Sequence, residues 1–231
     1  MIKNYGEFVS ELLKAGFSVA GGGGDEGVFS LIGHGWSDMP PDSPVQWHTG
    51  DPETDPWEWR MRVLDERDDI AYAKIFFKKA GYITEEWYPY FLAARRKYKT
   101  FADAYADGTI SNAAKRVYDA ITSNGRLPLH EIKNCAGFAR EDKSKFDGAL
   151  TELQMKMHVT ICGRRQKLTK TGEEYGWSST VFCIAEDFFG GNVNKKAAAL
   201  KAGEAAEKIA ERIYELNPSA QPKKVEKFIY G

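Results

Sequence analysis

Between His158 and Gly172 the chain carries Arg164, Arg165, Lys167 and Lys170 with no acidic residue among them. A cationic run of this kind neutralises phosphate oxygens, because phosphate attraction is screened over about 8 Å at physiological salt and so depends on nearby charge. Lys115 and Arg116 add two cations upstream, and Arg140 and Lys143 add two more just before the run. The chemistry offered is anion binding. A solvated lysine-rich face has the same composition, so position must decide between them.

Other candidate constellations are weaker. His34, His130 and His158 have no second histidine, cysteine or carboxylate at zinc-site spacing, so no metal is expected. Cys135, Cys162 and Cys183 are scattered and odd in number, which predicts reduced core thiols in a reducing compartment. Gly22, Gly24 and Gly27 make a formal G-x-G-x-x-G, but it follows an amphipathic helix instead of a buried strand, which predicts a loop and no dinucleotide cofactor. The carboxylates Asp51, Glu53, Asp55 and Glu58 offer acid/base groups or a solvated surface. Trp36, Trp47, Trp57, Trp59 and Trp87 crowd the first ninety residues and suit either core packing or base stacking.

The elements that must position these groups follow from periodicity. Tyr5 to Phe17 reads as a helix that Gly16 helps to end, and a second helix is expected from Trp57 to Glu66. Asp69 to Thr84 reads as a β-hairpin turning at Lys78–Gly81, followed by a helix over 85–97 with Thr84 as N-cap. Ser111 caps a helix ending at Asn124-Gly125. Then come a short extended Leu127-Pro128-Leu129, a short helix from His130 to Gly137 and a third helix from Arg140 to Met157. Strands follow at His158–Cys162 and Thr180–Ile184, with a polar excursion between them. That order is a winged helix-turn-helix, which places its third helix in the major groove and its wing on phosphates. The third helix is electrically neutral and the wing is basic, so phosphate contact is better supported than base reading. Asn194 to Leu216 predicts one long amphipathic helix.

The fold class expected is α+β: an N-terminal mixed α/β part over 1–108, a winged helix over 109–190, and a C-terminal amphipathic helix and tail over 191–231. Composition agrees with a soluble globular chain, since 231 residues with 42% hydrophobic and 28% charged residues exclude collagen-like, disordered and disulfide-framework classes. The net charge of −1 conceals an acidic start and a basic middle: residues 1–70 hold 5 Lys/Arg against 14 Asp/Glu, and residues 111–170 hold 12 against 6. No apolar run is long enough to span a bilayer, and the charged N-terminus is unlike a signal peptide, so a cytoplasmic location is expected.

The run DPETDPWEWRMRVLDERDDIAYAKIFFKKAGYITEEWYPYFLAARR, with GRLPLHEIKNCAGF, LTELQMKMHVTICGRRQKLTKTGEEYGW and STVFC, resembles the bacterial AlkZ-related proteins, distant relatives of the winged-helix alkyl-base DNA glycosylases. The resemblance covers most of residues 45–190. It implies a link to metal-free removal of alkylated bases from DNA, by enzymes whose catalytic motif is Gln, an apolar residue, then Gln or Asp. Gln46-Trp47-His48 is the comparable triplet. Gln46 matches, Trp47 stands for the apolar residue, and His48 departs at the third position. Neutral histidine could activate water, whereas its protonated form would repel an oxocarbenium-like centre.

Three functions follow as expectations. The first is binding of double-stranded DNA through Arg164, Arg165, Lys167, Lys170, Lys115, Arg116, Arg140 and Lys143. The second is a glycosylase-like activity using Gln46 and His48. The third is a protein-interaction winged helix or transcriptional regulator. No cofactor, metal or membrane partner is expected, and the sequence does not specify an oligomeric state.

Overall fold

A computed structural model describes residues 2–22, 27–169 and 171–231; Gly24 of the glycine pattern and Lys170 of the basic run lie outside them. Among the described residues, helices cover both faces of one antiparallel sheet of six strands: β1 (Phe17–Val19), β2 (Ile70–Phe76), β3 (Lys79–Thr84), β4 (Leu127–Pro128), β5 (Val159–Leu168) and β6 (Glu174–Ile184). Their order is β1-β3-β2-β5-β6-β4. Tyr72 pairs with Ile161, so strands from either side of residue 108 join in this sheet.

Because both faces are covered, strand residues alternate between two cores instead of between core and water. Ile70, Tyr72, Tyr82, Ile161 and Phe182 enter one core with α1 (Tyr5–Ala15), α2 (Pro56–Glu66), α5 (Asn112–Asn124), α6 (Leu129–Cys135) and α7 (Lys143–Met155). Ala71, Ala73, Ile75 and Ile83 enter the other with α3 (Tyr88–Arg96), α9 (Gly191–Ala199), α10 (Ala202–Leu216) and α11 (Pro222–Tyr230). Two short helices, α4 (Phe101–Ala106) and α8 (Ala185–Phe188), complete the connections. Trp59 and Trp87 are core residues, each fully buried large side chain contributing about 1.5–3 kcal/mol.

Local chemistry sets several boundaries as expected. Gly16 takes φ 94° to end α1, and a Cβ there would lie 2.2 Å from the Trp87 ring. The Ser111 side chain accepts from Ala114 N to start α5. Elsewhere the structure corrects the sequence reading. The β2–β3 turn falls at Phe77 and Lys78, both with positive φ. Helix α3 begins at Tyr88, with Pro89 in its first turn and no side-chain cap, so Thr84 belongs to β3.

The expected single helix over 194–216 is interrupted. Leu200 and Lys201 are extended, which lets α9 and α10 pack separately against α3. The Tyr98 hydroxyl donates to the Leu200 carbonyl at the break, giving it the partner a continuous helix would have supplied. The expected tail contains α11, started by Pro222, which buries Val225, Phe228 and Ile229. The polar excursion is also structure: β5 and β6 extend to Leu168 and from Glu174 as a ribbon wet on both faces, so hydrophobic alternation does not mark it.

Arg95 holds these layers in register. Its Nε donates to Ile229 O at 2.7 Å, Nη1 to Ile75 O at 2.8 Å and Met155 O at 2.6 Å, and Nη2 to Phe228 O at 2.8 Å. Burial pulls the guanidinium down to about 9, so it is still a cation at neutral pH. The loop before α2 has a similar anchor in Asp55, which is fully buried. Its Oδ1 accepts from His48 N at 3.1 Å and Trp57 N at 2.8 Å, and Oδ2 accepts from Gly50 N at 2.9 Å.

Two expectations follow. Arg95→Met strands four carbonyls and should cost about 3 kcal/mol or more, lowering the thermal midpoint by about 10 °C; Arg95→Lys, with three donors, should recover part of this. A midpoint within about 2 °C of wild type for Arg95→Met would contradict the role. Asp55→Ala should cost about 2 kcal/mol and release the His48 and Gly50 amides to faster hydrogen exchange while β2 stays protected. Unchanged protection at those two amides would count against Asp55 as the loop anchor.

Candidate nucleic-acid interface

The chain from 112 to 184 runs α5, β4, α6, α7, β5, β6, with β5 and β6 paired beyond the sheet as a two-stranded ribbon. Arg164 lies opposite Thr180, Arg165 opposite Ser179, and Lys167 opposite Tyr175. Between the last two pairs the register shifts, so Gly176, Trp177 and Ser178 face the single residue Gln166. Gln166 Nε2 secures this irregularity by donating to the Tyr175 and Gly176 carbonyls at 3.3 and 2.9 Å, and Gly176 supplies a φ of 62°. Bulges re-aim side chains. Here Trp177 projects into solvent with 90% of its surface exposed, beside exposed Tyr175 and Leu168.

The proposed cations differ in what already engages them. Arg164 Nη2 lies 2.8 Å from Asp65 Oδ2 on α2, so one acid of the early segment reaches the base of the ribbon. Arg165 is exposed, with Nη2 3.4 Å from the Arg126 carbonyl, and Lys167 is half-buried. Lys115 pairs with Asp119, one turn away on α5. Arg116 reaches the end of α6, donating to Ala136 O at 3.0 Å and Gly137 O at 2.5 Å, with its guanidinium 4.2 Å from the Phe138 ring centroid. Arg140 and Lys143 are exposed at the start of α7. Among the described residues no ion pair holds Arg165, Lys167, Arg140 or Lys143. Arg126, exposed where α5 leads into β4, is a further cation that the sequence reading passed over, because a lone arginine after Asn124-Gly125 reads as loop.

Helix α7 is divided. Its first residues, Lys143 to Lys145, are exposed, whereas its last turns are buried against β2, where Gln154 Oε1 accepts from Lys74 N at 3.0 Å. Only the N-terminal half is therefore open to a large ligand.

Gln46 and His48 lie elsewhere, on the loop that Asp55 anchors. Both are exposed; Gln46 N donates to Thr54 O at 3.0 Å, and His48 has φ 63°. The His48 ring lies between Trp36 and Trp57, with centroids 5.8 and 4.9 Å away, and those tryptophans are 68% and 43% exposed. Arg60 covers Trp57, 3.6 Å from its centroid. The neighbouring carboxylates are occupied structurally: Asp51 accepts from Glu53 N and the Thr54 hydroxyl, which hold its carboxyl below its ordinary value, and Glu53 pairs with Arg62 at 2.6 Å. Trp57 and Asp65 are separated by eight residues of α2, an axial rise of about 12 Å, so one helix spans from this aromatic group to the foot of the ribbon.

His158 belongs to neither group. Burial, then Arg96 and Lys156, pushes it down to about 3, and its ring meets the edge of Phe101, which stacks on Tyr118 with centroids 3.6 Å apart. The described residues contain no group of three or more His, Cys, Asp or Glu able to hold a metal ion. No helix among them is long and apolar enough to cross a membrane.

Comparison with known proteins gives one finding. No curated protein and no solved structure matches the chain. The family model described as "AlkZ related" matches residues 2–230, practically the full length that carries these features, and the chain belongs to the AlkZ-related family.

Proposed function

We propose that this protein binds double-stranded DNA through a winged helix made of α5, β4, α6, α7 and the β5–β6 ribbon, with the ribbon against phosphates. One observation carries the reading: Arg165 and Lys167, free of ion pairs among the described residues, flank a bulge from which Trp177 projects. Cations beside an exposed aromatic ring suit a duplex, since the charges take phosphates and the ring can pack in a groove or wedge against a base step. Membership of the AlkZ-related family supports a DNA-related role. Arg140, Lys143 and Arg126 extend the positive surface, and Lys170 adds to it by sequence. Arg116 contributes by ordering the turn after α6, and Lys115 contributes only if it exchanges Asp119 for a phosphate.

Titration of a labelled random-sequence duplex at several salt concentrations tests this, because log affinity falls by about 0.9 per neutralised phosphate for each unit of log salt. Arg165→Ala and Lys167→Ala should each flatten the slope by about one. Trp177→Ala should weaken binding with little change in slope, because an uncharged ring neutralises no phosphate. Asp65→Asn, which releases Arg164, should steepen it. Absence of binding at low salt would overturn the reading and leave the protein-interaction module.

A second reading, base excision, is favoured by the exposure of Gln46 and His48 beside Trp36 and Trp57. On this reading Gln46 positions water and His48, as the neutral imidazole, activates it, while the tryptophans hold an extruded base. Purified protein should then release alkylated bases from duplex DNA, and Gln46→Ala should abolish release. Intact alkylated substrate after prolonged incubation would dispose of this reading without touching the first.

A further inference from the structure

Below the basic part of the ribbon, two thiols meet. Thr160 pairs with Cys183, Ile161 with Phe182, and Gly163 with Val181, so one step along β6 answers two along β5 and Cys162 is the additional residue of a second bulge. Val159, Ile161, Phe182 and Ile184 face the core shared with α5 and α7. Cys162 turns to the opposite face. Its Sγ donates to the Val181 carbonyl at 3.7 Å, and the register leaves Cys183 as its diagonal neighbour across the ribbon, close enough for the two thiols to perturb each other. Cys162 is half-buried and Cys183 fully buried, and both are free thiols.

The surroundings make the two sulfurs unequal. The neighbouring Cys183 thiol, with Arg126 and Arg165 nearby, holds Cys162 below the ordinary thiol value against the opposing effect of burial. The same contact, together with burial, holds Cys183 well above it. Cys162, the less buried of the two, is the sulfur that a small oxidant reaches first. In a regular antiparallel pair, diagonal residues on one face have Cα atoms about 7–8 Å apart, slightly beyond the roughly 4.4–6.8 Å that a disulfide accepts. A bulge at Cys162 supplies local slack that a flat ladder lacks.

We propose that Cys162 and Cys183 form a reversible oxidation site at the base of the ribbon, closed to a disulfide by a hydroperoxide and reopened by a dithiol. The Cys162 thiolate attacks the terminal peroxide oxygen; the O–O bond breaks, an S–O bond forms, and the departing oxygen takes up a proton as water or an alcohol. The Cys183 sulfur then attacks the Cys162 sulfur, its proton leaves with the hydroxyl as water, and the S–S bond forms. The two thiols lose two electrons and two protons, and the peroxide is reduced. Closure draws the bulge toward β6, and the residues it moves first are Arg164 and Arg165. Formation of the bond does not depend on the DNA reading; only its effect on DNA affinity does.

The full chain carrying Cys135→Ser, which removes the exposed third thiol, is treated with hydrogen peroxide, alkylated and weighed intact. The expected result is a loss of two hydrogens, blocked alkylation at both sites, a cross-linked peptide pair containing Cys162 and Cys183, and full reversal by dithiothreitol. In the Cys183→Ser background the reaction should stop at a sulfenic acid on Cys162 that dimedone traps. Two alkylatable thiols after peroxide, or conversion of Cys162 to the sulfinic acid with Cys183 untouched, would overturn the proposal. Hydrogen exchange over 163–168 should differ between the reduced and oxidised forms, and identical exchange would remove the mechanical coupling to the ribbon. If neither form binds a duplex, the DNA reading fails while the mass result still decides the oxidation site.

Discussion

The architecture depends on one guanidinium. Arg95 leaves the end of α3 and joins carbonyls of β2, α7 and α11 that lie up to 134 positions from it in sequence. Among the described residues no carboxylate accepts from it; its charge is met by carbonyl dipoles, three of them at the C-terminal ends of helices, where the macrodipole is negative. A buried cation is costly to desolvate unless its donors are saturated. That condition fixes where α7 ends relative to β2 and where the chain terminus lies. Its neighbour Arg96 extends the arrangement, donating to Met157 O at 2.7 Å and to Glu186 at 2.5 Å, so α3 is tied to the turn before β5 and to α8, which follows β6. Two adjacent residues thus seat the platform from which the ribbon projects.

The ribbon itself lacks such anchoring. Beyond Gly163 its side chains are mostly solvated, and the pairing rests on backbone hydrogen bonds, Gln166 and the contact of Arg164 with Asp65. A surface ion pair contributes at most about 1 kcal/mol, so this contact orients the ribbon more than it stabilises the fold. Charge is therefore unequally engaged within the same region: Asp65 restrains one cation, and among the described residues the next two along β5 have no ion pair. Lys115 and Arg116, adjacent in sequence, divide in the same way, the first pairing across one helical turn and the second completing the end of α6.

What was legible in the sequence was what neighbouring residues decide. Gly16, Ser111 and Asn124-Gly125 act within a turn of themselves, and the helices they bound fell where their spacing put them. Strands β2, β3, β5 and β6 were readable from their apolar runs, but β1 was not, because Phe17 continues the helical apolar spacing of α1. Features decided by distant partners were not. The extended residues Leu200 and Lys201 lie in an Ala-rich stretch with good helical propensity, and the break follows from packing on α3 and from the Tyr98 hydroxyl. Arg95 has the spacing of an ordinary cation near a helix end, and nothing local announces four carbonyls. For the candidate interface, the basic run was visible as composition, but Arg164 could not be told from Arg165 until Asp65 was seen beside one of them. Trp177 lay in a stretch without hydrophobic period, where a bulge and not a pattern determines which way it points.

That bulge bears on how an exposed tryptophan is tolerated. A flat, apolar ribbon with free edges invites pairing with another chain, and solvent-exposed indole adds an adhesive surface. Here the register slips twice, at Cys162 and at Gln166, and each slip increases twist, so a second strand cannot follow the edge for long. Arg164, Arg165 and Lys167 on one strand and Glu173 and Glu174 at the turn place like charges against like when two copies align in parallel. The same devices that discourage self-association leave the indole open to solvent. Twist, charge and exposure are therefore one design constraint. Relieving any of them, by flattening the bulge or neutralising the cations, should turn the ribbon into an aggregating edge.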